Sequence, residues 1–389
     1  MDFSLSEAQR DVQELARKIL EDLSTHERLV EVEAGPDGMD RRLWKELAAA
    51  ELLGVAAPGE HGGSAMGFLT LCVLLQEVGR TVAAVPVLPS LVLGALPLAR
   101  FGSEAQKRRW LPAAADGSAI LTAALQEEGS DDPAQPASAA RRDGDGWRLS
   151  GAKICVPAAH LAERILVPAR VERGAVGVFL VDPRAPGVEL VPQRATNRER
   201  VARLTLGDTP VAADQALGGS ADGAAITRWM ADRASAALCA LQLGVSERAL
   251  RMTADYAAER RQFGRPIGSF QAVHQRAADA FIDLEAMRLT AWQAIWRLDR
   301  EQPADDAVAV AKFWAADGGQ RVGYAAQHLH GGIGIDVDYP LHRYYLWAKQ
   351  IELTLGSAPV QLARIGERLA REPAQQAATP DVPRKRTQR

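Results

Sequence analysis

The chain has 389 residues, 47% of them apolar and 24% charged, with a net charge of −3. These values suit a globular protein of about two to three domains, exclude a core-poor mini-protein, and show no basic excess of the kind nucleic-acid binders carry. The three cysteines, Cys72, Cys155 and Cys239, lie far apart with no CxxC pair. That argues against a disulfide framework or zinc knuckle and fits a reducing cytoplasm.

The N-terminus carries no basic, apolar leader pattern. Ser4-Leu5-Ser6-Glu7 reads as a capping box, followed by Val12, Leu15, Ala16, Ile19 and Leu20 at helical spacing. Further helices are expected over Arg41–Leu53, Gly67–Val78 and Ser103–Ala115, with a loop at Pro58–Gly63. The uncharged stretch from Thr81 to Ala99 contains Pro86, Pro89, Pro97 and Gly94. A lipid-exposed helix would struggle with these, so it reads as a buried connection.

Near residue 120 the pattern turns to alternation. Trp147–Ser150, Arg164–Val167, Val176–Val181, Val188–Val191 and Arg203–Leu206 read as short strands. Asp143-Gly144-Asp145-Gly146 supplies a tight hairpin turn. A small antiparallel barrel or sandwich is expected. Helical spacing returns near residue 222, where Phe281, Leu284, Met287, Ala291, Ile295 and Leu298 form one apolar stripe. The plan is α+β: a helical domain (1–119), a β-domain (120–221), a four-helix bundle (222–371) and a polar, disordered tail (372–389).

Two bundle segments carry chemistry. In Glu259–Gln271, the run Arg260-Arg261-Gln262-Phe263-Gly264 ends a helix near Phe263-Gly264, and Pro266 prevents its continuation. Arg and Gln on such a turn can clamp a phosphate and an adenine or ribose edge; the competing reading is a basic helix cap. In His328-Leu329-His330-Gly331-Gly332-Ile333-Gly334, the glycines permit close backbone approach to a ligand. Metal binding by His328 and His330 lacks a carboxylate or Cys at ligand spacing.

Together with Asp143–Lys153, these segments resemble the acyl-CoA dehydrogenase family over roughly Met1 to Ala370. The resemblance implies FAD bound at a dimer interface, usually in a dimer of dimers. The ring would lie against one subunit's β-domain and the nucleotide against its neighbour's bundle. It implies nucleotide-side roles for Arg260, Phe263, Gln271, Gly331 and Gly332, with His328 where relatives carry Gln. On the ring side it points to Gln126, to Glu127 and Gly129 of a loosely matching loop, and to Cys155 and Pro157. The Thr hydroxyl usual near flavin N5 is then replaced by Pro157.

The family reaction removes an α-proton from an acyl thioester while a β-hydride moves to the flavin. The usual Glu base falls at Leu355, which takes no proton. Some relatives place the Glu near the start of the bundle's first helix, here Met230–Ser235, where Asp232 is the acid. Asp232 reads either as a displaced base or as a solvated partner of Arg233. Glu352 reads as an ion-pair partner or a base, Cys155 as a small buried residue, and His274 as a surface residue.

The expectation is a subunit without its own base that completes a flavin site with a Glu-bearing homologue. Alternatives are a self-sufficient enzyme using Asp232, a flavin-dependent monooxygenase and a flavin-free structural subunit. The resemblance also implies an acyl-CoA substrate and an electron-transferring flavoprotein as acceptor; the charge balance and the proline-broken apolar stretch point to no nucleic-acid or membrane partner.

Overall fold

The computed structural model describes residues 3–218 and 222–371; the expected tail lies outside them. The first region holds α1 (Glu7–Leu23), α2 (His26–Ala34), α3 (Arg41–Ala49), α4 (Gly67–Thr81), α5 (Leu96–Phe101) and α6 (Glu104–Ala115). The capping box sits one half-turn beyond its expected place. Ser6 accepts from Gln9 N at 3.3 Å and donates its own N–H to the Gln9 side chain at 2.9 Å. Ser-x-x-Gln serves this reciprocal bond as well as Ser-x-x-Glu does. The helix expected to reach Leu53 stops at Ala49, because Glu51 turns to φ 58 and a short 3₁₀ turn follows.

The apolar stretch after α4 is buried, as expected, but it is largely helical. A π-helical segment covers Leu88–Ala95 and runs directly into α5. Pro89 falls in the first turn of this run, where a missing N–H costs nothing, and Pro97 falls at the junction between the π-helical segment and α5.

The middle region forms β1 (Leu121–Ala123), β2 (Ala139–Asp143), β3 (Gly146–Pro157), β4 (Arg164–Arg170), β5 (Val176–Val181), β6 (Val188–Arg194), β7 (Arg200–Val211) and β8 (Ala216–Leu217). They make one eight-stranded sheet in the order β6-β7-β3-β2-β4-β5-β8, with β1 beside β4. The path does not close into a barrel, and the pairing is not wholly antiparallel. β1 and β2 both run parallel to β4, since the intervening chain is long enough to re-enter in the same direction. The expected two-residue turn joins β2 to β3, with Gly144 at φ 57.

The last region holds α7 (Gly223–Glu259), α8 (Gln271–Asp299), α9 (Asp305–His330), α10 (Leu341–Leu353) and α11 (Ala358–Arg371). The apolar stripe of α8 is buried except for Phe281, which is 56% exposed. Helix α7 ends at Glu259, earlier than the expected Phe263. The chain then makes a small hairpin, β9 (Arg261–Gln262) with β10 (Arg265–Pro266), whose turn residues Phe263 and Gly264 have φ 52 and 78. Two left-handed residues in succession suit a two-residue hairpin and cannot continue a helix.

One core joins the first region to α7 and α10, and a second fills the sheet. Helices α4 and α7 pack closely through glycine. A Cβ on Gly79 would lie 2.2 Å from the Leu241 carbonyl oxygen, and one on Gly244 would lie 2.0 Å from that of Gln76.

Candidate active site

Where α4, the π-helical segment, α7, α10 and the sheet meet, a cavity opens with about 930 Å³ of empty space, part of it open to solvent. Its walls are mostly apolar: Leu75, Leu88, Leu93, Leu238, Leu241 and Trp347 among them. Gln126, Cys155, Pro157 and Leu355, the outermost two separated by more than half the chain, all line it.

The sheet wall is built around a buried ion pair. Lys153 Nζ lies 2.7 Å from Glu127 Oε1, and Glu127 also accepts from Ser138 Oγ at 2.6 Å and Ser138 N at 3.0 Å. Burial pushes the Glu127 carboxyl up, but Lys153 and Ser138 outweigh it and hold it below the ordinary range. Burial lowers Lys153 against the pull of Glu127. The Ile154 N–H donates to the Gln126 carbonyl at 2.9 Å. That pairing sets Gln126 beside Cys155.

Cys155 is exposed, which corrects the expectation of a buried residue. A register irregularity between Lys153 and Val156 in the β3–β7 ladder accompanies its φ of 51. Pro157 offers neither N–H nor hydroxyl, and its carbonyl accepts from Thr122 Oγ1 at 2.8 Å.

Leu355 sits opposite, on the loop between α10 and α11, at φ 58. The loop is held firmly. Lys312, wholly buried on α9, donates to the carbonyls of Ile351, Glu352 and Gly356 at 2.9, 3.2 and 3.1 Å. Gln361 Nε2 donates to the carbonyls of Leu355 and Gly356, both at 3.2 Å. Burial brings the Lys312 ammonium down to about 8. A charge amid the apolar spacing of Val308, Ala311, Ala315 and Ala316 is the signal that could have exposed Lys312 in the sequence.

Asp232 does not line this cavity; it lies in a separate cleft with Arg228, Arg233, Arg364, Arg368 and Asp305. Burial and then Asp305 raise it to about 6. Within Met230–Ser235 the residue lining the cavity is Ala234. Glu352 pairs with Lys349 at 2.6 Å. Asn197 and Glu199, at the β6–β7 turn, also line the cavity. No sequence signal marked them, because Arg194, Arg198, Arg200 and Arg203 make that stretch read as a solvated charged turn.

The nucleotide-side residues lie elsewhere. Tyr256 near the end of α7 stacks on His330 at the end of α9, with ring centroids 4.4 Å apart. This contact brings the Arg260–Gln271 segment and Gly331–Gly332 to one end of the bundle. Arg260, Phe263, Gln271, His274, His328, Gly331 and Gly332 are all exposed, Phe263 by 92%. Gly331 has φ 65, and a Cβ added there or at Gly332 would meet nothing within 4 Å. His330 is buried, its Nδ1–H donating to the Ala326 carbonyl at 2.9 Å and its Nε2 facing the Tyr339 hydroxyl at 3.2 Å.

One chain thus displays an apolar cavity and, apart from it, an exposed Arg/Gln/Gly-Gly surface at one end of the bundle. The chain belongs to the acyl-CoA dehydrogenase family, oxidoreductases that use FAD and act on CH–CH bonds. The family's N-terminal, middle and C-terminal domain models match residues 6–118, 122–205 and 221–370.

Among its relatives, acyl-CoA dehydrogenase FadE27 of Mycobacterium tuberculosis is 43% identical over 96% of this chain and 100% of its own length. In the solved ChsE4-ChsE5 complex from Mycobacterium tuberculosis, a chain 43% identical superposes with a TM-score of 0.91, covering 96% of this chain and 100% of that one. A chain of the Tcur3481-Tcur3483 steroid ACAD G363A variant is 48% identical, with a TM-score of 0.88, covering 94% of this chain and 99% of that one.

The nucleotide-side residues fit FAD. Arg260 and Gln271 offer charge and hydrogen bonds to solvent, and the backbone at Gly331–Gly332 is open to approach. On the cavity side, Gln126 and Cys155 line the wall, while Pro157 offers no N–H or hydroxyl to a bound group.

Proposed function

We propose that this chain is the base-less subunit of a hetero-oligomeric acyl-CoA dehydrogenase. The observation that carries the reading is Leu355. It lines the cavity on a loop fixed by Lys312 and Gln361, so the position is preserved while the side chain accepts no proton. A Glu-bearing homologue would supply the carboxylate that removes the α-proton.

In this reading Arg260, Gln271 and the Gly331–Gly332 backbone hold the nucleotide end of FAD, and their exposure leaves them free to serve a neighbour's ring site. When bound, FAD takes up the β-hydride. Gln126, Cys155 and Pro157 would pack against the ring, and the apolar walls would exclude water from the acyl group. That two of the similar structures pair differently named chains supports a hetero-oligomer. One is named a steroid ACAD, which favours a steroid acyl thioester as substrate, with an electron-transferring flavoprotein as acceptor.

The test is to purify the chain alone and together with a Glu-bearing homologue, and to measure flavin per chain and thioester desaturation. Full flavin loading and activity are expected only in the co-assembly. Replacing the partner's Glu by Gln should abolish turnover with flavin retained. Rapid desaturation by the isolated homomer would reject the reading.

A further inference from the structure

The β6–β7 turn places a carboxyl group in the apolar cavity. Asn197 is 6% exposed, and its Oδ1 accepts the Glu199 N–H at 3.2 Å. That bond fixes the amide's orientation, so Nδ2 donates to Glu199 Oε2 at 2.7 Å. Glu199 Oε1 has no hydrogen-bond partner among the described residues. The flanking arginines face away: Arg198 pairs with Glu33 at 3.0 Å, and Arg200 donates to the Gly35 carbonyl.

The cavity's other polar groups are largely engaged. Gln350 accepts from Thr196 N at 3.0 Å and donates to Thr354 Oγ1 at 3.1 Å. Gln126 lines the cavity from the sheet side, its backbone carbonyl accepting the Ile154 N–H at 2.9 Å. A carboxyl oxygen left without a partner inside an apolar cavity is costly, and a ligand that meets it gains the corresponding free energy.

We infer that Glu199, oriented by Asn197, anchors the hydroxyl of an otherwise apolar alcohol bound in this cavity. A hydroxyl both donates and accepts, so it satisfies Oε1 whether the carboxyl is ionised or protonated. An anion would carry an unpaired charge into apolar walls, and burial, which raises the Glu199 carboxyl, disfavours the ionised form that an ammonium would need. The inference concerns the same cavity as the dehydrogenase reading but does not rest on it, since the anchoring carboxyl belongs to this chain.

The test is titration of octan-1-ol and 1-chlorooctane into the full-length chain, followed by calorimetry and by tryptophan emission, since Trp347 lines the cavity. Octan-1-ol should bind saturably. Glu199→Leu should weaken it about tenfold, the equivalent of one buried hydrogen bond, while leaving 1-chlorooctane within about twofold. Near-isosteric Glu199→Gln, which keeps a donor and an acceptor, should retain octan-1-ol within about threefold. Leu238→Trp, which fills the cavity, should remove both ligands, with circular dichroism confirming each variant's fold. Absence of octan-1-ol binding, equal binding by Glu199→Leu, equal loss of both ligands in Glu199→Leu, or full binding by Leu238→Trp would each overturn the inference.

Discussion

Single residues in this protein take their character from burial more than from their neighbours in sequence. Cys155 is exposed at the cavity, whereas Cys72 and Cys239 are buried, with burial raising both thiols, Cys239 to about 12. Brief iodoacetamide treatment of the native chain should therefore label Cys155 alone, read by peptide mass spectrometry. Burial raises Cys155 as well, so labelling should be slow at neutral pH and accelerate as pH rises. Labelling of Cys72 or Cys239 at a comparable rate would contradict the packing.

Asp232 offers a second residue-scale test. Its folded pKa, about 6, lies above the ordinary 3.8. The folded state then binds more protons between these values, so the contribution to stability is full below about pH 4 and is lost as pH rises through about 6. Asp232→Asn should gain on the wild type by roughly 1–3 kcal/mol between pH 4 and pH 7. Urea unfolding at the two pH values measures this, and a constant difference would show that the carboxyl is not desolvated.

At the scale of elements, the cavity wall depends on how closely α4 and α7 approach. Gly244→Ala would set a methyl group 2.0 Å from the Gln76 carbonyl oxygen, and both elements are held by backbone, which cannot rotate out of the way. The helices would have to separate, at a cost of about 3 kcal/mol or more. A lower thermal midpoint and altered emission from Trp347 are expected, and a variant as stable as the wild type would refute the tight crossing. The loop carrying Leu355 works the other way: Lys312 and Gln361 bond its carbonyls, so its φ of 58 is held by the surrounding helices and not by its own sequence. Non-glycine residues in that region persist where the neighbours over-determine them.

At the scale of the whole molecule, the apolar cavity and the exposed bundle-end surface are carried by different parts of the chain. Arg260→Ala should lower flavin retention in the co-assembly at least about fivefold while leaving the isolated chain's fold and thermal midpoint unchanged, because Arg260 is exposed and pairs with nothing among the described residues. The flavin-to-protein absorbance ratio after gel filtration reads this, and unchanged retention would remove Arg260 from the nucleotide surface. No helix among the described residues is long and apolar enough to cross a membrane.

The sequence by itself determined the order of helical, strand and helical regions, since periods of 3.6 and 2 are local properties of side-chain spacing. It also singled out the Arg260–Gly264 turn, Gly331–Gly332 and the hydrocarbon at Leu355, the residues on which the proposed roles rest. The π-helical segment, the parallel pairings of β4 and the exposure of Cys155 were not legible, because hydrogen-bond register and packing partners are settled by contacts distant in sequence. Only the tertiary structure brought Gln126, Cys155, Pro157, Glu199 and Leu355 to one cavity and sent Asp232 to another. A helix turns about 100° per residue, so Ala234 faces the cavity while Asp232, two positions away, faces the cleft.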